Sequence, residues 1–214
     1  MKGEFGAEFT FTSWQFGVSN GELKLEYSDS EYGDFVEVFQ FSDLDTQRYQ
    51  ELKEQIDKAI DCLHWMVGVS YYKTSLAQHI KFDNQVVEQS LKTGPNQLQA
   101  SWLADTWQHG LAELAYENNL PWLKHINFNA VSNQEEFGSI DCHLSARSLV
   151  AIGGGKDSLV SVEAIKQAHL FMVGQSGFIQ SVAEVTGLPL LQIKRTVDPR
   201  LKQANAAGAF NGHV

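Results

Sequence analysis

The stretch "SLVAIGGGKDSLVSVEAIKQA", Ser148 to Ala168, decides how this chain is read. A short apolar run leads into Gly153, Gly154 and Gly155, then Lys156, Asp157 and Ser158. Beyond them Leu159, Val162 and Ile165 recur at helical spacing, with Glu163, Lys166 and Gln167 polar. A strand, a glycine turn and a helix in that order present unpaired N–H groups and the positive helix end to an anion. Bare glycines let the backbone close on oxygen atoms with no side chain in the way. Lys156 adds a point charge, and Ser158 can hydrogen-bond a phosphate oxygen. Asp157 offers a carboxylate either to Mg²⁺ or to the helix as its N-cap.

Working outward, the pattern continues as a strand in "LFMVG", a helix in "FIQSVAEVTG" and a strand in "PLLQIKR". Strands alternating with helices imply a parallel sheet, whose ligands bind at the carboxyl ends of its strands. Residues 146–214 are therefore expected to form an α/β domain. Residues 1–145 read differently, as an α+β domain built on an antiparallel meander. Leu23, Leu25 and Tyr27 alternate with Lys24 and Glu26, and Asn20-Gly21 is a hairpin turn signal. "EFTFTSWQF" and "DFVEVFQF" supply the flanking strands. Asp43 or Asp45 can cap a long helix whose Leu52, Ile56, Ile60, Leu63 and Val67 form an apolar stripe. "KTGPNQ" is a loop, and a second helix carries Leu103, Trp107, Leu111 and Leu114.

Two familiar phosphate loops fail here. A Walker A loop needs G-x-x-x-x-G-K-[ST], but Val150 holds the first glycine's place and Asp157 follows Lys156. A dinucleotide fingerprint needs a third glycine where Ser158 stands, and the next strand ends in Gly174 and Gln175 rather than an acid. The loop instead resembles the S-G-G-x-D-S pattern of PP-loop ATP pyrophosphatases, with Gly153 replacing the leading serine. That glycine, "VDPRL" (Val197–Leu201), "NGHV" (Asn211–Val214) and "GVSYYK" (Gly68–Lys73) are similar to a narrower family. It is the ATP-dependent UDP-N-acetylmuramoyl-L-alanyl-L-glutamate epimerases of bacterial peptidoglycan synthesis.

The resemblance implies ATP and Mg²⁺ as cofactors and a UDP-muramoyl dipeptide as substrate. The terminal L-glutamate would be adenylated at its α-carboxylate with release of diphosphate. An acyl-adenylate acidifies the neighbouring C–H, so an ordinary side-chain base can remove the proton. Reprotonation on the other face and hydrolysis would leave D-glutamate and AMP. Gly153, Gly154, Gly155, Lys156, Asp157 and Ser158 would hold the β- and γ-phosphates, with Asp157 as metal ligand. His213 would act as acid/base or touch the adenylate, and Asn211 would orient substrate. Lys194 and Arg195 read either as contacts to substrate anions or as a solvated pair. Tyr71 and Tyr72 read as packing. The alternatives are another PP-loop adenylating enzyme, for amidation or sulfur transfer, and a non-catalytic nucleotide-binding fragment.

Composition narrows the field. The net charge of −10 and the lack of a basic stripe argue against a nucleic-acid partner. No apolar run reaches the roughly 20 residues of a membrane span, and "MKGEFGAEFTFT" lacks a signal-peptide pattern. Cys62 and Cys142, far apart in sequence, read as reduced thiols, so the cytoplasm is the simplest location. The parallel part supplies three strands, fewer than expected for a domain of about 100–150 residues. A chain truncated at its carboxyl end is expected, with exposed sheet edges that favour a homo-oligomer.

Overall fold

The computed structural model describes residues 5–42, 44–83, 85–87, 90–92, 94–130, 143, 145–165 and 167–210. The fold is α+β. In chain order the first half runs β1 (Glu8–Gly17), β2 (Glu22–Asp29), β3 (Gly33–Gln40), α1 (Thr46–Glu51), α2 (Lys53–Val67) and α3 (Val69–Ser75). It continues with β4 (His79–Phe82), a small ribbon of β5 (Gln85–Val87) and β6 (Ser90–Lys92), α4 (Gln97–Gly110), α5 (Ala112–Asn118) and a 3-10 turn at Pro121–His125. The remainder is β7 (Ser148–Ala151), α6 (Lys156–Ala164), β8 (Ala168–Val173), α7 (Gly177–Thr186), β9 (Leu190–Thr196) and α8 (Pro199–Ala206).

Seven of these strands form one mixed sheet in the order β4-β1-β2-β3-β9-β8-β7. The meander is antiparallel, and β7, β8 and β9 are mutually parallel, as their crossover helices require. The two parts meet where β3 and β9 pair antiparallel, with Phe39 opposite Arg195. Alternation along β9 serves both faces of the sheet. Leu190 packs into a core under α6 and α7 with Val150, Val162, Leu170, Met172 and Ala183, whereas Ile193 packs against the larger core of the meander. On the meander side of β7, β8 and β9, Leu149, Val173 and Leu191 remain exposed.

The expected stripe helix is interrupted at Leu52, between α1 and α2. Asp45 caps α1 by accepting from the Arg48 amide at 2.9 Å, while Asp43 lies outside the described residues. Gly68 joins α2 to α3 in helical conformation, with φ −54° and ψ −25°. A Cβ there would come within 2.4 Å of Phe11 Cε1 and 3.1 Å of Tyr27 Cε1, so only glycine lets the helices lie this close to the sheet. The buried face is also rotated from the expected one. Ile60, His64 and Trp65 are buried, whereas Leu52, Ile56, Leu63 and Val67 are only half-buried. The second stripe holds in full, with Leu103, Trp107, Leu111 and Leu114 all buried across α4 and α5. Tyr71 and Tyr72 are fully buried packing residues.

The alternation of β3 places Glu37 between Phe35 and Phe39 on the core face, with no exposed surface. A carboxylate there needs partners, since an unpaired buried charge is strongly disfavoured. Arg195 supplies its guanidinium Nε to one oxygen, and the Tyr71 hydroxyl donates to the other at 2.7 Å. Burial pushes the Tyr71 hydroxyl well up, and the Glu37 charge beside it adds to the shift, so it stays a donor. Burial disfavours the Arg195 charge, but the hydrogen bond and charge of Glu37 outweigh that and raise its pKa. Arg195→Ala is expected to cost about 3–5 kcal/mol in urea unfolding, because it strands a buried carboxylate. Glu37→Ala should cost less, since the 35% exposed Arg195 side chain can turn to water.

Candidate functional site

The glycine loop lies at the carboxyl end of β7, on the strand–turn–helix arrangement that its sequence predicts. Ile152 is buried and donates to the Phe171 carbonyl at 2.9 Å, which fixes the loop's entry to the sheet. Gly154 then takes φ +75°, the left-handed region that favours glycine. Gly155 is the N-cap of α6 in extended conformation, with no side chain to accept from the first-turn amides. Those N–H groups are the orphans of the helix start. Ser158 donates its hydroxyl back to the Gly155 carbonyl at 2.8 Å and so braces the turn.

Lys156 and Asp157 are both exposed at the start of α6. Asp157 is in the first turn, not at the cap, so capping is not its task. Its charge suits the positive helix end. Among the described residues no group of three or more His, Cys, Asp or Glu could hold a metal ion. Of the apolar positions in the helix only Val162 is buried, with Leu159 and Ile165 partly exposed.

The next loop, between β8 and α7, is built more tightly. Gly174 has φ +98° and Ser176 caps α7 by accepting from the Ile179 amide at 3.4 Å. Gln192 of β9 donates to the Gly174 carbonyl at 2.8 Å and accepts from Gln180 at 3.0 Å. After β9, Asp198 caps α8 through the Arg200 amide and accepts from the Val36 amide of β3 at 2.8 Å. Three helix starts thus follow the three parallel strands, and only that of α6 lacks a side-chain cap.

A sequence profile of the MurL N-terminal domain matches residues 2–214. The chain belongs to that family. Among curated proteins it is similar to the UDP-N-acetyl-alpha-D-muramoyl-L-alanyl-L-glutamate epimerase of Xanthomonas oryzae pv. oryzae, 37% identical over 163 residues. That match covers 74% of this chain and 34% of the relative. Proteins of the same name from Salinispora tropica and a Micromonospora species are 34% and 32% identical, each over 96% of this chain. The chain spans less than half the length of these relatives, 45% and 46% for the last two. No solved structure matches.

The fold brings together two stretches that the sequence leaves apart. "GVSYYK" supplies the close approach to the sheet at Gly68 and the Tyr71 hydroxyl, which accepts from the Asp198 amide of "VDPRL" at 3.3 Å. Arg195, read as a solvated or anion-binding group, is instead the partner of Glu37, while Lys194 is exposed. Asn211, His213 and Cys142 lie outside the described residues. Cys62 is a free, half-buried thiol whose pKa burial raises. Sequence reasoning passed over Phe178, an aromatic directly after the glycine that opens α7.

Two outcomes are expected from this geometry. Gly154→Ala should lower the urea midpoint by about 1–2 kcal/mol of stability through its positive φ. Gly153→Ala and Gly155→Ala, where a Cβ meets nothing within 4 Å, should stay within about 0.5 kcal/mol. Burial pushes the Asp198 carboxyl up, but hydrogen bonds from the Arg200 side chain and the Val36 and Arg200 amides outweigh it and lower its pKa. A depressed folded pKa gives stability that is present above the unfolded value and lost as pH falls through the folded one. Unfolding midpoints measured from pH 7 downward should therefore drop below about pH 4, less steeply in Asp198→Asn.

Proposed function

We propose that this chain is the nucleotide-holding part of an ATP-dependent epimerase that inverts the terminal L-glutamate of UDP-N-acetylmuramoyl-L-alanyl-L-glutamate. The observation that carries the reading is the uncapped start of α6 behind three glycines, at the carboxyl end of a parallel strand, in a relative of proteins named for that activity. ATP would supply the adenylyl group that activates the glutamate α-carboxylate, with diphosphate and finally AMP released.

The chain's own residues have divided tasks in this reading. The amides from Gly153 to Ser158 cradle the β- and γ-phosphate oxygens, and Lys156 balances their charge. Asp157, exposed beside those amides, gives one oxygen to Mg²⁺, whose other ligands are phosphate oxygens and water. Asn211 orients the glutamate, and His213 moves its proton. Both the nucleotide sugar and ATP are cytoplasmic compounds, which places the reaction there.

The test is production of AMP and diphosphate with ATP, Mg²⁺ and the UDP-dipeptide, alongside calorimetric titration of Mg-ATP. AMP that depends on the dipeptide and disappears in Lys156→Ala is the expected result. AMP formed without that substrate would point to another adenylating enzyme, such as one for amidation or sulfur transfer. Mg-ATP binding that Lys156→Ala weakens at least tenfold, without AMP, would make this chain a nucleotide-binding module. Absence of both would overturn the reading.

A further inference from the structure

The carboxyl ends of β7 and β8 are paved with bare backbone. A Cβ added at Gly153, Gly155, Gly174 or Gly177 would find no atom within 4 Å. One aromatic side chain stands on this open ground. Phe178, the second residue of α7, is 67% exposed. It touches the loop on one side, since a Cβ at Gly154 would lie 2.8 Å from its Cε1 and 3.2 Å from its Cδ1. Among the described residues it joins no other aromatic ring. A phenylalanine left in water at the start of a capped, hydrogen-bonded helix contributes little to folding, because most of its apolar area stays hydrated.

We propose that Phe178 is the stacking platform for the nucleobase of a nucleoside triphosphate whose phosphates lie on the Gly153–Ser158 loop. The inference rests on the nucleotide-loop reading and deepens it. Every base has a π-face, and an exposed ring stacks on it with little regard to its edge groups. The ring is held at a defined place, because Ser176 caps α7 and the Gln180–Gln192–Gly174 chain of hydrogen bonds pins the loop before it. Its contact with Gly154 sets it directly beside the phosphate cradle. Bare glycine on both loops leaves room for a planar group to approach the ring. Stacking alone reads no hydrogen-bonding edge, so adenine and guanine nucleotides should gain from Phe178 alike.

The experiment compares Mg-ATP, Mg-GTP and Mg-tripolyphosphate by isothermal titration in the unaltered chain, Phe178→Ala and Phe178→Trp. Tripolyphosphate offers the phosphates without the base. Phe178→Ala should weaken both nucleotides about tenfold and leave tripolyphosphate unchanged. Phe178→Trp should keep nucleotide affinity, with its added indole fluorescence quenched by ATP and not by tripolyphosphate. Equal losses for all three ligands in Phe178→Ala would mean that the ring only props the loop. No loss for any ligand would mean that it touches no base. Either result overturns the inference while sparing the nucleotide loop. Failure of the unaltered chain to bind any of the three would overturn the loop reading and the inference with it.

Discussion

A carboxylate with no exposed surface, Glu37, is the constraint on which the architecture depends. Its strand position turns it into the core between two phenylalanines, where a carboxylate needs a matching cation and a donor. Arg195 and Tyr71 provide these from β9 and α3. The same neighbourhood holds Asp198, which reaches back to the Val36 amide. Four side chains from distant parts of the sequence thus tie β9 to β3. The parallel strands that carry the glycine loop are thereby continuous with the meander.

The meander and the helices of the first half are legible in the sequence where a period is clean. Leu23, Leu25 and Tyr27 alternate without interruption, and Leu103 to Leu114 keep helical spacing across a helix break. The stripe from Leu52 to Val67 misleads because His64, whose ring lies 2.9 Å from the Glu26 carbonyl oxygen, and Trp65 take the inward face of α2 in its place. The pairing of β3 with β9 leaves no local mark, since Glu37 and Arg195 are 158 residues apart in sequence. The short strand β4 adds parallel to β1 over four residues, too few for any period to stand out.

The glycine loop is legible because its chemistry is local: three consecutive glycines, a cation, an acid and a hydroxyl ahead of a helical run. What the sequence hides is the division of labour among helix starts. Ser176 and Asp198 close theirs with side chains, while Gly155 leaves its own open. The surroundings of the loop come from β8, α7 and β9, brought alongside by the crossovers rather than by neighbouring residues.

Strand β9 carries a consequence for the length of the chain. Its even positions, Leu190 and Gln192, serve the core and hydrogen bonds under α7, and its odd positions, Ile193 and Arg195, serve the meander. Inserting or deleting one residue between Gln192 and Ile193 would reverse one set of faces whichever end held its register. Arg195 would leave Glu37, or Leu190 would leave its core. The segment can therefore exchange side chains of like size far more readily than it can change its count of residues. Relatives aligned through this strand should show substitutions there but no gaps.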